Sequence, residues 1–508
     1  MKSDRLVQQV QLAVSPPSLN DTASDWERLQ KALLPLTDGR PLQASLASLQ
    51  DLGPALRHGN WQVTVTLADA NEAWRLVRVN PARQAPPGLG LAIDLGTTTV
   101  VAELVEMQTG QVLAARMAYN SQRQFGSDVT ARMMAAEKPG GLAGLRQAIL
   151  QTMNELVAGL CADAGFTPDE IAAIVVAGNT IMMHLLLGFD PSSIRRDPYV
   201  PAATLFPIFT ALEIGLQVHP AALLYLFPAA SGYVGGDVTA GVLATGIAER
   251  EAFSILVDIG TNGETVLGNN DFLMACSGSA GSAFEGCGLE WGMAAQAGAI
   301  DRVRIEANHL SYQTVDGEPA RGICGSGLIE ALGAFLQADL INRHGKVNLS
   351  SPYARSGETH PEIVLAPAVE TAVGRDIALR QADIENLIRD KAALYAGSRI
   401  LLANAGLTFD DVAEIMIAGN FGQSLEIEQA VRIGLLPDIP REKIRFIGNS
   451  SLAGARAALL SRQAWHHTHE IAASITCLEL TTEPRYFEEY TAALFLPHTD
   501  LSLFPSVQ

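Results

Sequence analysis

What this chain lacks narrows its role before any motif is weighed. Cysteine is scarce: Cys161, Cys276, Cys287, Cys324 and Cys477 are the five in 508 residues, and none forms a Cys-x-x-Cys pair. That spacing indicates neither a disulfide framework nor a zinc ribbon. Residues 1–160 contain no cysteine at all. Aromatic residues make up only 6% of the chain, yet the apolar fraction of 48% is far above that of a disordered one. Positive charge is also short, with 35 Lys and Arg against 54 Asp and Glu and a net charge of −19. A surface that acidic repels polyphosphate backbones, so no nucleic-acid or anionic-membrane partner is expected, although a small Mg-complexed nucleotide can still bind locally. Long apolar runs are missing too. The opening "MKSDRLVQQVQLAV" lacks the apolar centre of a signal peptide, and the longest candidate span, "IAAIVVAGNTIMMHLLLG", is interrupted by Asn179, Thr180 and His184. A cytoplasmic location is the expectation.

What the chain does have is a repeat. "LAIDLGTTTVVAEL" (91–104) places Asp94 at the end of an apolar run, follows it with Gly96 and Thr97 to Thr99, and then resumes apolar residues. It recurs as "ILVDIGTNGETVLG" (255–268), with Asp258, Gly260, Thr261 and Asn262. "FTPDEIAAIVVAGNT" (166–180) pairs with "LTFDDVAEIMIAGNF" (407–421), and "GGDVTAGVLATG" (235–246) with "GNSSLAGARAALL" (448–460), where Gly241 matches Gly454. All three pairs keep the same order, which points to a duplicated α/β unit. The apolar runs before each Asp-x-Gly turn read as buried strands, and residues 142–164 and about 377–405 as helices leading into the second motif pair. The halves are expected to face each other across a cleft. The boundaries follow as a linker over 1–30, a small α+β domain over 31–87, and α/β subdomains over 88–250 and 251–508. In the first part Asp21 or Thr22 is the expected helix cap, and "WQVTVTL" (61–67) alternates as a half-buried strand.

The paired turns suit phosphate. Glycine lets the main chain approach a ligand closely, and the amides and hydroxyls that follow donate to phosphate oxygens. Asp94 and Asp258 would repel phosphate directly but can hold Mg2+ through water. "AGNFGQS" (418–424) is glycine-rich without the Gly-Lys-Ser/Thr of a P-loop, and Gly419, Asn420, Phe421 and Gly422 are expected to meet adenine or ribose. "GICGSGLIEAL" (322–332) opens a helix with Gly325 and Ser326, either as a nucleotide contact or as a plain helix start. Gly236 and Asp237 begin the 235–246 helix, whose counterpart has Ser450 where Asp237 stands. A carboxylate retained in one half can activate an attacking water, or simply cap the helix.

This ordered set resembles the actin, heat-shock-chaperone and sugar-kinase ATPase superfamily: phosphate motifs at 92–99 and 256–264, connecting helices at 235–246 and 450–461, and an adenosine motif at 415–422. Within it, nearly the whole chain is similar to the reductive activators of corrinoid proteins, on "AIDLGTTTVVAEL", "VVAGNTIMMHLLLGFDPSSIRRDPYVP" and "SGSAGSAFEGCGLEWGMAAQAGAID". The resemblance implies duplicated RNase H-like subdomains around a nucleotide cleft, Mg-ATP as ligand, and Asp94, Asp237 and Asp258 as catalytic carboxylates. It also implies a corrinoid protein as partner, its cobalt(II) reduced to cobalt(I), and a homodimer as assembly. Such activators begin with a plant-type 2Fe-2S domain needing four grouped cysteines. With Cys161 the first cysteine, that domain is missing here and no iron-sulfur cluster is expected; either a separate ferredoxin or reductase supplies the electron, or this chain is a shortened form with only the ATP-dependent half of the activity. A small-molecule kinase and a noncatalytic nucleotide-dependent assembly protein remain the alternatives. His466, His467 and His469 read as solvated rather than metal-binding. Glu285, Arg195 and Arg196 read as an acidic cap and a basic turn, with partner contact as the other possibility.

Overall fold

The N-terminal elements build one small sheet. In the computed structural model, which describes residues 4–82, 86–278, 281–307, 309–357, 359–419 and 426–507, these are β1 (Val7–Ala13), α1 (Asp25–Leu33), β2 (Leu42–Ala44), α2 (Leu46–His58), β3 (Gln62–Ala70) and β4 (Ala73–Pro81). The strand order is β1-β3-β4-β2. All of β1 pairs antiparallel with β3, so Val7–Ala13 lie in the same sheet as the strands that follow residue 30. The cap of α1 is Ser24, whose side chain accepts from the Glu27 amide while Glu27 reaches back to the Ser24 amide. Asp21 instead accepts from Arg28 at 2.7 Å, because a reciprocal capping box three residues on satisfies the helix start better. β3 is buried on both faces, not one. Val63, Val65 and Leu67 pack on Leu29, Leu33, Leu52 and Leu56 of the two helices. The opposite face is covered by the next sheet, which the alternating pattern could not reveal.

That next sheet begins with the hairpins β5 (Leu89–Leu95), β6 (Thr99–Glu106) and β7 (Gln111–Tyr119), followed by α3 (Val129–Ala136) and α4 (Gly141–Ala164). Then come β8 (Ile171–Gly178), α5 (Thr180–Leu187), β9 (Phe209–Thr210), α6 (Ala211–Ile214), β10 (Leu223–Leu226) and α7 (Gly236–Thr245). The order is β7-β6-β5-β8-β10-β9, with β8 parallel to both β5 and β10. Ile93, Ile174 and Val176 meet Ile149, Met153 and Met182 of α4 and α5 on one face. On the other, Ala173, Val175 and Tyr225 meet Ala68 and Val77 of the small sheet, and the Tyr225 hydroxyl donates to the Asp69 carbonyl at 2.7 Å.

The second repeat runs β11 (Ser254–Asp258), β12 (Glu264–Gly268) and β13 (Leu273–Ser277). An insertion follows, with β14 (Ala299–Glu306), β15 (His309–Thr314), β16 (Gly322–Ile323), α8 (Gly325–Gln337), β17 (Ala354–Arg355), β18 (Glu362–Ala366) and β19 (Ile377–Arg380). The repeat resumes with α9 (Gln381–Ala405), β20 (Glu414–Ala418), α10 (Ile427–Arg432), β21 (Ile444–Gly448) and α11 (Ser450–Leu460), and the chain ends with α12 (Arg462–Ser474), β22 (Ile475–Cys477) and α13 (Tyr486–Ala493). The order β21-β20-β11-β12-β13-β22 repeats that of the first large sheet except at the edge strands. The duplication expected from three motif pairs is thus present as two α/β sheets of matched topology.

By proximity the chain groups into two units, residues 1–244 with 451–473, and residues 245–450 with 474–508. α11 and α12 thereby belong with the first large sheet. A Cβ on Gly454 would lie 2.1 Å from the Ala240 carbonyl oxygen, so α11 crosses α7 at main-chain distance. Trp465 of α12 is buried edge-on against Tyr225 and Phe227, at ring separations of 5.2 and 6.1 Å.

Candidate nucleotide site

The first Asp-x-Gly-Thr turn closes the β5–β6 hairpin, where Leu95 pairs with Val100. Gly96 has no room for a side chain, since a Cβ would lie 2.4 Å from the Thr99 carbonyl. Two asparagines outside the motif hold the loop. Asn120 Nδ2 donates to the Gly96 carbonyl at 3.0 Å, and its amide donates to the Thr98 carbonyl at 2.9 Å. Asn179 caps α5 by accepting from the Met182 amide and donates Nδ2 to Thr97 Oγ1 at 3.0 Å. The first Ala-Gly-Asn motif therefore holds the turn after Asp94 besides starting a helix.

Asp94, at the end of β5, stays partly exposed and accepts from Ser451 Oγ of α11 at 2.8 Å. Asp237 is the second residue of α7. Burial pushes its carboxyl up to about 7; the charge of Asp94 adds to the rise and a hydrogen bond from the Val238 amide opposes it. A carboxylate poised there exchanges protons near neutral pH, which suits a general base. Gly236 is packed so that a Cβ would lie 2.7 Å from Phe227 Cβ.

The second turn closes the β11–β12 hairpin, with Asp258 opposite Glu264. Asp258, Gly260, Thr261 and Asn262 are all partly exposed. The loop is tied back by Gly278 N–H donating to the Gly263 carbonyl at 2.9 Å and Ile259 N–H to the Ala418 carbonyl at 3.0 Å. Thr261 Oγ1 donates to Glu285 at 2.6 Å, so Glu285 belongs with this turn rather than with a simple cap. Gly419 has φ +138° and donates its amide to the Gly448 carbonyl at 3.1 Å. Asn420, Phe421 and Gly422 lie outside the described residues. Gly325 and Ser326 open α8 fully buried, with Ser326 Oγ 3.3 Å from Cys324 Sγ. A Cβ on Gly327 would lie 2.1 Å from the Ile300 carbonyl, so close packing on β14 accounts for the glycine at 327.

Other singled-out side chains have structural partners. Arg195 and Arg196 both pair with Glu137, at 2.7 and 3.0 Å. His467 contacts Glu470 at 2.8 Å, and His469 stacks edge-on against Trp465. Among the described residues, no three His, Cys, Asp or Glu side chains group to hold a metal. Ser451, Asn120 and Glu285 had no place in the motif reading. Ser451 lies within "GNSSLAGARAALL" and Glu285 within "SGSAGSAFEGCGLEWGMAAQAGAID", but neither motif points to a contact with a turn, and Asn120 lies in no motif.

Two α/β sheets of matched strand order, each opening on a hairpin that closes through Asp-x-Gly-Thr, define a protein of the ASKHA nucleotide-binding class. The family comparisons agree and go further. Residues 252–508 match the C-terminal domain of RACo, the ASKHA domain; residues 89–250 match the RACo middle region, and residues 1–85 the RACo linker region. The chain belongs to the RACo family. It is similar to the corrinoid activation enzyme RamQ of Eubacterium limosum, 32% identical over 417 residues, covering 80% of this chain and 70% of that one. It is 25% identical over 424 residues to the Co(II) methylated amine-specific corrinoid protein reductase of Methanosarcina barkeri, covering 76% and 73%. A solved reductive activator for corrinoid, iron-sulfur protein superposes with a TM-score of 0.94 at 44% identity, over all of this chain and 81% of that one.

Proposed function

We propose that this chain is an ATP-dependent reductive activator of a corrinoid protein. The observation that carries the reading is the match of all three regions, in order, to one family, together with relatives whose names describe corrinoid activation and corrinoid-protein reduction. ATP binding and hydrolysis to ADP and phosphate bias the protein between conformations, and one of them binds the cobalt(II) partner and makes its one-electron reduction to cobalt(I) accessible.

The roles divide by residue. Thr97 to Thr99, Gly96, Gly260, Thr261 and Asn262 belong to the phosphate turns, Gly236 lets α7 approach closely, and Gly325, Ser326, Gly419, Asn420, Phe421 and Gly422 serve adenosine. Asp237 takes a proton from the attacking water, helped by a carboxyl held near neutrality. Asp94 and Asp258 would hold Mg2+ through water. The fit is sound in donor chemistry, because hard carboxylate oxygens in small number suit an ion that keeps most of its own water. Bound there, the ion would neutralise phosphate charge.

The electron comes from a separate ferredoxin or reductase. What supports this reading is that the five cysteines are far apart in the sequence, whereas a plant-type cluster takes closely grouped ones. The working form is a homodimer in the cytoplasm, serving a methyltransferase-type corrinoid system.

The test mixes the protein with ATP, a reduced ferredoxin and a cobalt(II) corrinoid protein and follows cobalt(I) absorption. Formation that requires ATP is expected. Cobalt(I) appearing equally without ATP would reject the activation reading, and ATP loss stimulated by a sugar or acid instead would favour a kinase. Asp94→Asn and Asp258→Asn are expected to abolish Mg-ATP hydrolysis with unchanged circular dichroism; normal hydrolysis in both would remove these residues from the site.

A further inference from the structure

The two Asp-x-Gly-Thr turns use their leading threonine in opposite senses. At the first, Thr97 Oγ1 accepts from Asn179 Nδ2 at 3.0 Å, which leaves the hydroxyl's own proton to donate. At the second, Thr261 Oγ1 donates to Glu285 Oε2 at 2.6 Å. An ionised carboxylate can only accept and a hydroxyl carries one proton, so this contact commits it. A hydroxyl whose one proton goes to Glu285 has none to donate to a phosphate oxygen.

Glu285 is held in place from below. It ends the 3-10 turn Ala283–Glu285, and Asp390 of α9 fixes that turn by accepting the Gly281 and Ala283 amides, each at 2.8 Å. Gly286 continues the turn with φ +81°, and a Cβ on Gly292 would lie 2.0 Å from the Gly286 carbonyl, so the loop has little room to shift. A Cβ on Gly260 would lie 3.7 Å from Asp258 Oδ1 and 3.8 Å from Glu285 Oε1, which puts both carboxylates beside the same glycine.

We infer that Glu285 is a positioning residue that fixes the Thr261 hydroxyl as a donor to itself, so that the second turn meets phosphate through main-chain amides and only the first turn also grips it through a threonine hydroxyl. This rests on the ATP reading above. It divides the labour of two turns that sequence makes look alike.

The test is a double-mutant cycle on the full chain, reading the affinity for a fluorescent ATP analogue at saturating Mg2+. Thr97→Val is expected to weaken binding about tenfold, as loss of one phosphate hydrogen bond does, with Thr97→Ser restoring it. Thr261→Val in the otherwise unaltered protein should change binding by about twofold or less. In a Glu285→Ala background, where the Thr261 proton is released, the same Thr261→Val change should cost about fivefold. Equal effects of Thr261→Val in both backgrounds, or an effect matching that of Thr97→Val, would overturn the inference. Absence of binding by the unaltered protein would overturn the ATP reading and this inference with it.

Discussion

In the ATP reading proposed above, Asp237 is the residue whose ionisation can be followed. Burial and the nearby charge of Asp94 hold its carboxyl near 7 although an aspartate in water titrates near 3.8. The folded protein therefore binds this proton more tightly than the unfolded chain, so the group's contribution to stability is lost as pH rises from about 4 through about 7. If Asp237 is the base of the proposed hydrolysis, this ionisation produces its active form, and the rate should rise with pH across that upper range. Asp237→Asn removes the ionisation. It is expected to leave the urea midpoint at pH 7.5 unchanged or higher while lowering ATP turnover by about 10² to 10⁴, with the rise in rate near pH 7 abolished. A variant that unfolds more readily and retains a pH-dependent rate would show that Asp237 only caps α7. At this scale the sequence was legible where chemistry is local. Asp94, Gly96 and Thr97 sit in one short motif, and the glycine that follows an apolar run ending in an acid marks the hairpin turn between β5 and β6. Ser451 was not legible, because its hydroxyl meets Asp94 across 357 residues of chain and a lone serine leaves no pattern. Glu285 lay 24 residues from Thr261 in a glycine-rich loop where an acid reads equally well as a cap.

Among the elements, the crossing of α7 and α11 is the tightest. With a glycine at the contact, helix axes can approach until main-chain atoms touch, and any side chain forces them apart. Gly454→Val would put Cβ 2.1 Å from the Ala240 carbonyl oxygen. A loss of about 3 kcal/mol or more is expected, read as a fall in the denaturation midpoint. The sequence pairs Gly454 with Gly241, whereas the carbonyl it meets is that of Ala240. An alignment of motifs gives equivalence of position in two copies, and contact between them is decided by the phase of each helix. Periodicity also served well for α4 and α9, whose limits lie close to the expected spans. It failed for β3, where threonines alternate with valines yet both faces are buried. Thr64 and Thr66 are polar by composition but lie in the layer beneath the next sheet, and a buried hydroxyl looks like a solvent-facing one in a sequence.

For the whole molecule, the N-terminal 82 residues are structural rather than appended. Their sheet lies on Ala173, Val175 and Tyr225, and Asp69, fully buried on β3, pairs with Arg40 at 2.8 Å. A chain shortened to begin at Gly88 would expose that apolar layer, and it is expected to aggregate, seen by light scattering, at temperatures where the full chain stays monodisperse. Truncated protein that remains soluble with an unchanged melting temperature would mean the layer contributes no stability. The duplication itself was legible because three motif pairs recur in one order. The grouping of residues 451–473 with the first repeat was not, since they follow the second repeat in the chain and their partners precede it.

That grouping has a consequence for how the protein is made. The ribosome delivers residues 1–244 long before Ser451–Ala473, yet Trp465 and Leu459 complete the layer around Tyr225 and Ala92. Until about nine-tenths of the chain has been synthesised, the first large sheet waits with one face unfinished. The second unit must be largely translated in the meantime, so its nascent strands emerge beside an exposed apolar surface. Production of active protein should therefore depend on chaperones that shield the early half during elongation, and more so when translation is slow.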